Sequence, residues 1–251
     1  MTRCAIHIGT SGWHYKHWVG TFYPEKTPAS KMFDFYAKRF DTVELNNSFY
    51  RLPSEEMFRE WAAATPKGFT FAVKASRFIT HNLKLKNPQN ALDNILLRAE
   101  EMGKKLGPVL FQLPPKWKKN TERLEEFLAA LPKYHRYAFE FREPSWHSED
   151  VYAVLRKFNV AYCIHEIAGF HTDLQVTADF TYVRLHGPGA GKYEGSYTEA
   201  QLQRWAEQIR RWRETLKAVY LYFDNDQAGY AAKNALRLKA LVGTEQQERV
   251  A

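Results

Sequence analysis

The sequence predicts an α/β fold of the (β/α)8 barrel class, in which the helix between the sixth and seventh strands is short or missing. Three observations carry that expectation. Eight short β-branched and aromatic runs alternate with segments of helical periodicity, and the 251 residues suit a barrel of that kind. One parity of the strand-like runs is apolar, as a face packed on helices must be. The other parity ends in polar residues, strand after strand. A doubly wound open sheet is the rival, but its GxGxxG signal after the first strand is absent.

The strand-like runs are CAIHIG (4–9), TVELN (42–46), FTFAVK (69–74), PVLFQL (108–113), YAFEFR (137–142), VAYCIH (160–165), TYVRLH (181–186) and VYLYFD (219–224). Each is short and rich in Val, Ile, Tyr or Phe, the composition of a pleated, buried segment. Helical periodicity falls at about 28–39, 54–64, 89–105, 121–130, 148–158, 198–215 and 228–242. Ser54 after Pro53, Asn120-Thr121 and Thr198-Glu199 are start signals. In the sixth of these segments Leu202, Trp205, Ile209, Trp212 and Leu216 recur at steps of three and four. That spacing buries both tryptophans and leaves Arg204, Arg210, Arg211 and Arg213 on or beside the solvent face. Residues 166–178 are too short and irregular for a full helix.

With 45% hydrophobic and 15% aromatic residues, the chain has material for a packed core. We expect one domain over 1–242 and a polar tail at 243–251. No run approaches the roughly 20 apolar residues of a membrane-spanning helix, and MTRCAIHIGTSGW lacks the apolar stretch of a signal peptide. A cytoplasmic protein without a membrane partner is the expectation. Cys4 and Cys163, the two cysteines, lie in apolar runs and read as small buried hydrophobes. The net charge of +8 favours anionic partners. The basic residues are dispersed, with the densest groups at 84–86, 116–119 and 210–213.

The inward parity of the strands ends in Glu44 and Asn46, Lys74, Gln112, Glu140 and Arg142, His165, Arg184 and His186, and Asp224. Barrel enzymes carry their sites at the C-terminal ends of the strands. A single buried ion pair would be a structural plug. Carboxylates, guanidiniums, an ammonium and imidazoles gathered at one end of successive strands point to a site instead.

The segments GTSGWHYKHWVGTFYP (9–24), VELNNSFYRLPS (43–54), FAVKASRFITH (71–81), LFQLPP (110–115), AFEFREPSW (138–146), VRLHG (183–187) and YLYFDND (220–226) resemble, in order and over about residues 5–242, the DUF72 or YecE-like family. The resemblance implies a TIM barrel with a loose kinship, by fold, to sugar isomerases and metal-dependent barrel nucleases. It supplies no reaction. Two places depart from the family pattern: Asp224 in FDND, and the glycine-rich loop HGPGAGKYEGSY.

Glu44, Glu140, His186 and Asp224 are the candidate catalytic groups, because opposed carboxylates and a histidine supply acid–base chemistry of isomerase, lyase or hydrolase type. Arg142 beside Glu140 favours a base or electrostatic role for that carboxylate. Lys74, Arg142 and Arg184 suit a carboxylate or phosphate. Trp13, Tyr15, Asn46, Gln112, Trp146 and Asn225 complete the candidate substrate-binding set. Gly189, Gly191 and Lys192 follow the seventh strand, where barrels often bind phosphate. No cofactor is expected. A divalent metal on His165, His186, Asp224 and Asp226 is the alternative, although no HExxH or HxH spacing supports it. No GxSxG marks a serine nucleophile. The leading expectation is an enzyme acting on a small anionic, sugar- or nucleotide-like substrate. Nucleic-acid processing and non-catalytic metabolite binding are the alternatives, and the oligomeric state is open.

Overall fold

The computed structural model describes residues 4–248. Its strands are β1 (Ala5–Thr10), β2 (Thr42–Leu45), β3 (Thr70–Lys74), β4 (Leu106–Gln112), β5 (Tyr137–Glu140), β6 (Ala161–Ile167), β7 (Phe170–His171), β8 (Phe180–Leu185) and β9 (Ala218–Phe223). The helices are α1 (Ala29–Ala37), α2 (Asn47–Tyr50), α3 (Glu55–Ala63), α4 (Gln89–Glu100), α5 (Thr121–Ala129), α6 (Glu149–Lys157), α7 (Glu199–Thr215) and α8 (Tyr230–Glu248). The strands follow the order β1-β9-β8-β6-β5-β4-β3-β2, with β7 paired to β6 off that path. Parallel ladders joined by helices make this a (β/α)8 barrel fold. Between β6 and β8 there is no helix. A two-residue antiparallel hairpin strand, β7, takes its place. The polar tail expected at 243–251 coincides in its first part with the end of α8, and residues 249–251 lie outside the described residues.

The helix starts expected from sequence have their caps. The side chain of Ser54 accepts from the Met57 N–H, that of Asn120 from the Arg123 N–H, and Thr198 forms a capping box with Gln201. Each satisfies N–H groups that have no partner inside the helix. Trp205, Ile209 and Trp212 are buried on one face of α7, while Arg204 and Arg211 are exposed. Cys4 and Cys163 are buried and not joined in a disulfide.

The chain divides into two compact units. The first lies within Met1–Val43, Ile164–Asp173 and Tyr182–Ala251, and the second comprises Glu44–Cys163 and Leu174–Thr181. In the first unit β1 runs parallel to β9 with Ala5 opposite Ala218 and Thr10 opposite Phe223. Fully buried Tyr36 of α1 ties β1 to the start of β2. Its hydroxyl accepts from the Thr10 N–H and donates to the Thr42 carbonyl, each at 3.0 Å. Gly9 is required here, because a Cβ would stand 2.5 Å from the Thr42 carbonyl oxygen. In the second unit β3, β4 and β5 are consecutive parallel neighbours, with Gln112 opposite Glu140. Aromatic rings fill the side facing the helices: Phe111, Phe127 and Phe139 lie within 5.1–5.9 Å of one another.

Candidate functional site

In the second unit the candidate residues stand at strand ends. Lys74 closes β3, Gln112 closes β4, Glu140 closes β5, and Arg142 lies two residues further on. The ladder continues past them, since the Ala75 N–H donates to Leu110 O at 2.8 Å and the Leu113 N–H to Glu140 O at 2.9 Å. The backbone under these side chains is therefore fixed by the sheet.

Glu140 is fully buried, and its carboxylate accepts a hydrogen bond from Nε of Arg142, whose side chain is 13% exposed. Glu44 of β2 is fully buried too. Lys74 is nearly so, and its ammonium sits 4.3 Å from the centroid of the Phe49 ring, a cation–π contact. Phe49 belongs to α2, the short helical turn immediately after β2. The Ser48 hydroxyl of that turn donates to the Lys74 carbonyl at 2.6 Å, so ring and ammonium are held as one piece. Asn46, the residue before the turn, has a buried side-chain oxygen with no hydrogen-bond partner among the described residues. A buried acceptor left in that state is costly, and a ligand hydroxyl or amide can satisfy it.

Sequence reasoning missed His81. It lies in a π-helical turn, Phe78–Asn82, that follows β3. Its ring meets Phe49 edge-on at 5.3 Å, and Nδ1 is 2.9 Å from Thr80 Oγ1. Burial, then the charges of Arg77, Lys74 and Arg142, hold the imidazole below its ordinary pKa. His81 sits inside the FAVKASRFITH segment, but a π-turn has no readable spacing in sequence, and such turns recur at functional sites.

The first unit carries a second polar cluster. Nη2 of buried Arg184 donates to Asp224 Oδ2 at 2.7 Å, and Nη1 lies 2.9 Å from His186 Nε2. Nη2 is also 3.4 Å from Ser11 Oγ. His186 Nδ1 stands 3.0 Å from the Glu166 carbonyl. His186 Nε2 is also 3.3 Å from Asp224 Oδ2, so the ring lies among a guanidinium, a carboxylate and a carbonyl.

Other candidates are engaged elsewhere. Trp146 is fully buried, stacked on Phe141 at 4.9 Å, and its indole N–H donates to Trp117 O at 2.6 Å. Asn225 donates to Gly195 O at 2.8 Å and to Asn234 Oδ1 at 3.0 Å, anchoring the loop after β8. Trp13 packs on Phe33 at 4.4 Å and Tyr15 on Trp18 at 4.6 Å. In the glycine-rich loop the Gly189 N–H donates to Glu194 O at 3.1 Å, the Glu194 carboxylate lies against Gly191, and Lys192 is exposed. An acidic group at that turn opposes an anion. His165 is buried with its ring 6.1 Å from that of His186. The Asp226 carboxylate is 3.7 Å from His17, and burial raises its pKa. Among the described residues no group of three His, Cys, Asp or Glu side chains is placed to hold a metal ion, and Arg184 already occupies His186 and Asp224. Among the described residues no helix is long and apolar enough to cross a membrane.

Comparison with known proteins gives a consistent picture. Residues 7–251 match the family model described as "Protein of unknown function DUF72". The UPF0759 protein YunF of Bacillus subtilis is 28% identical over 96% of this chain and 95% of its own length. The UPF0759 protein YecE of Escherichia coli is also 28% identical, over 56% of this chain and half of its own length. Among solved structures, a DUF72 family protein from Thermotoga maritima superposes with a TM-score of 0.85 at 30% identity, covering 95% of this chain and 99% of that one. A DUF72 family protein from Enterococcus faecalis reaches a TM-score of 0.80 at 19% identity over 94% and 95% of the two chains, which speaks to fold alone.

Proposed function

This chain belongs to the DUF72 family, and from that premise we propose that it is an enzyme performing acid–base chemistry on a small anionic, sugar- or nucleotide-like substrate. The reading rests on one observation. Lys74, at the end of β3, and Arg142, just beyond β5, lie close enough to His81 for their charges to oppose its protonation. Arg142 is ion-paired with Glu140, and Lys74 brings a second cation to the strand ends of the same unit, donor types that suit a carboxylate or phosphate. Arg142 supplies a planar fork for carboxylate or phosphate, and Lys74 a compact charge anchored on Phe49.

In this account Lys74 and Arg142 hold the anionic group, with Arg77 adding charge at the rim. Asn46 Oδ1 accepts from a substrate hydroxyl. Glu140 and Glu44 form the acid–base pair: one takes a proton from the substrate and the other returns one. That exchange belongs to an isomerase or lyase. Within the first unit, Arg184 links Asp224 and His186, and the account assigns this cluster positioning of the β8 and β9 ends.

The test is a calorimetric titration with inorganic phosphate at low ionic strength. The wild-type protein binds, and Lys74→Met, which keeps the packing against Phe49, weakens binding by about tenfold or more, the loss of one charged contact. Equal affinity in the two proteins removes Lys74 from the anion site.

A further inference from the structure

We infer that the first unit carries a binding site at the N-terminal end of β1 for a small amphipathic anion, a carboxylate on a short alkyl chain. The site is a cavity of about 260 Å³ lined by β1 and by the last turns of α7 and α8. It stands at the end of β1 opposite to Thr10 and Ser11. The inference does not rest on the anion site proposed above.

Strand alternation builds the floor. Cys4, just before β1, and Ile6 and Ile8 within it share one parity, and all three line the cavity. Cys4 and Ile8 are buried, while Ile6 between them is only half-buried. Lys239, Val242 and Gly243 are spaced three and four apart on α8, so they share the helix face that borders the same cavity. Long apolar side chains ordinarily close a helix over a strand. Here that turn carries a valine and a glycine, and a Cβ at Gly243 would meet no atom within 4 Å. Ile6 therefore keeps apolar surface that an alkyl chain can cover, and covering it is favourable in proportion to the area removed from water.

Two cations line this apolar space. Lys239 is answered by Asp41, Nζ to Oδ1 at 2.5 Å. Arg213, in the last turn of α7, is half-buried and makes no ion pair among the described residues. A guanidinium beside an apolar floor selects a ligand with an anionic head and an apolar body. The planar fork donates two parallel hydrogen bonds to a carboxylate, and the chain lies along Ile6, Ile8 and Val242. A neutral chain leaves the guanidinium unused, and a short anion leaves the floor wet.

The test is calorimetric, with octanoate, butyrate and octanol as probes. The wild-type protein should bind octanoate about tenfold or more tighter than butyrate, whose shorter chain covers less apolar surface. It should prefer octanoate to octanol by a similar factor, the contribution of one charged contact. Arg213→Met keeps an unbranched apolar stem and should lower octanoate affinity to that of octanol. Ile6→Trp fills the cavity and should abolish octanoate binding, with thermal denaturation establishing that the variant is folded. If it does not fold, Arg213→Met and the chain-length comparison still decide. No octanoate binding by the wild type overturns the inference. So does equal affinity for octanoate and butyrate, an octanoate affinity indifferent to Arg213→Met, or undiminished binding by folded Ile6→Trp.

Discussion

Nη1 of Arg184 lies 2.9 Å from Nε2 of His186 and Asp224 Oδ2 lies 3.3 Å from the same nitrogen, so a histidine placed by sequence among the catalytic candidates meets both members of an ion pair. The opposite nitrogen faces the Glu166 carbonyl at 3.0 Å. A carbonyl only accepts, so the arrangement predicts a proton on Nδ1. Nitrogen-15 chemical shifts of the imidazole read this directly. The neutral Nε2–H form, with Nδ1 bare, contradicts the assignment.

The same guanidinium is paired with Asp224 at 2.7 Å, and both side chains are largely buried. Removing one partner leaves the other as an uncompensated buried charge. Asp224→Ala is therefore expected to cost about 3–5 kcal/mol in urea unfolding. The double variant Arg184→Met, Asp224→Ala should cost less than the sum of the two single changes, because neither charge is then left alone. A single-variant cost below about 1 kcal/mol marks the pair as solvated.

The close approach of β1 to Thr42, at the start of β2, depends on a missing side chain. Gly9→Ala places a methyl group 2.5 Å from the Thr42 carbonyl, and backbone on both sides must yield. The expected cost is about 1–3 kcal/mol, the range for overpacking a close contact. Thermal denaturation checks it. An unchanged midpoint means that β1 and β2 stand further apart than described.

His81 carries the electrostatic signature of the proposed anion site. Its pKa is lowered by burial and by Arg77, Lys74 and Arg142. The folded state therefore binds this proton less readily than the unfolded chain. His81's contribution to stability is complete above 6.5, its ordinary value, and is lost as pH falls below it. Phosphate neutralises the flanking cations, so adding it should raise the His81 midpoint in an NMR titration. Lys74→Met should raise it without phosphate. A midpoint indifferent to both disconnects His81 from the cluster.

The fold was legible because periodicity survives in a single sequence. Strand runs such as VYLYFD and the Trp205–Trp212 stripe of α7 read directly as burial, and the polar strand ends pointed to one end of the sheet. The companions of each residue were less legible. Glu140 and Arg142 pair as their spacing of two on one strand face suggests. Trp146 looked like a binding aromatic, yet its indole N–H is consumed by the Trp117 carbonyl, a contact across 29 residues that no local pattern encodes. The glycine-rich loop looked like a phosphate cradle, but Glu194 turns back on Gly189 and Gly191. His81 escaped because a π-turn departs from every period used to read helices. The hairpin of β7 is short enough to be anticipated only as a missing helix.

The central claim is that Glu140 transfers a proton on an anionic substrate held by Lys74 and Arg142. It is tested most directly by incubating wild-type protein and Glu140→Gln with a pool of phosphorylated and carboxylated metabolites and following each by mass spectrometry. Glutamine keeps the shape and an oxygen acceptor for Arg142, and thermal denaturation establishes that the variant is folded. The account predicts that the wild type consumes at least one anionic metabolite and that Glu140→Gln binds it without converting it. Conversion at equal rates by both proteins would contradict it.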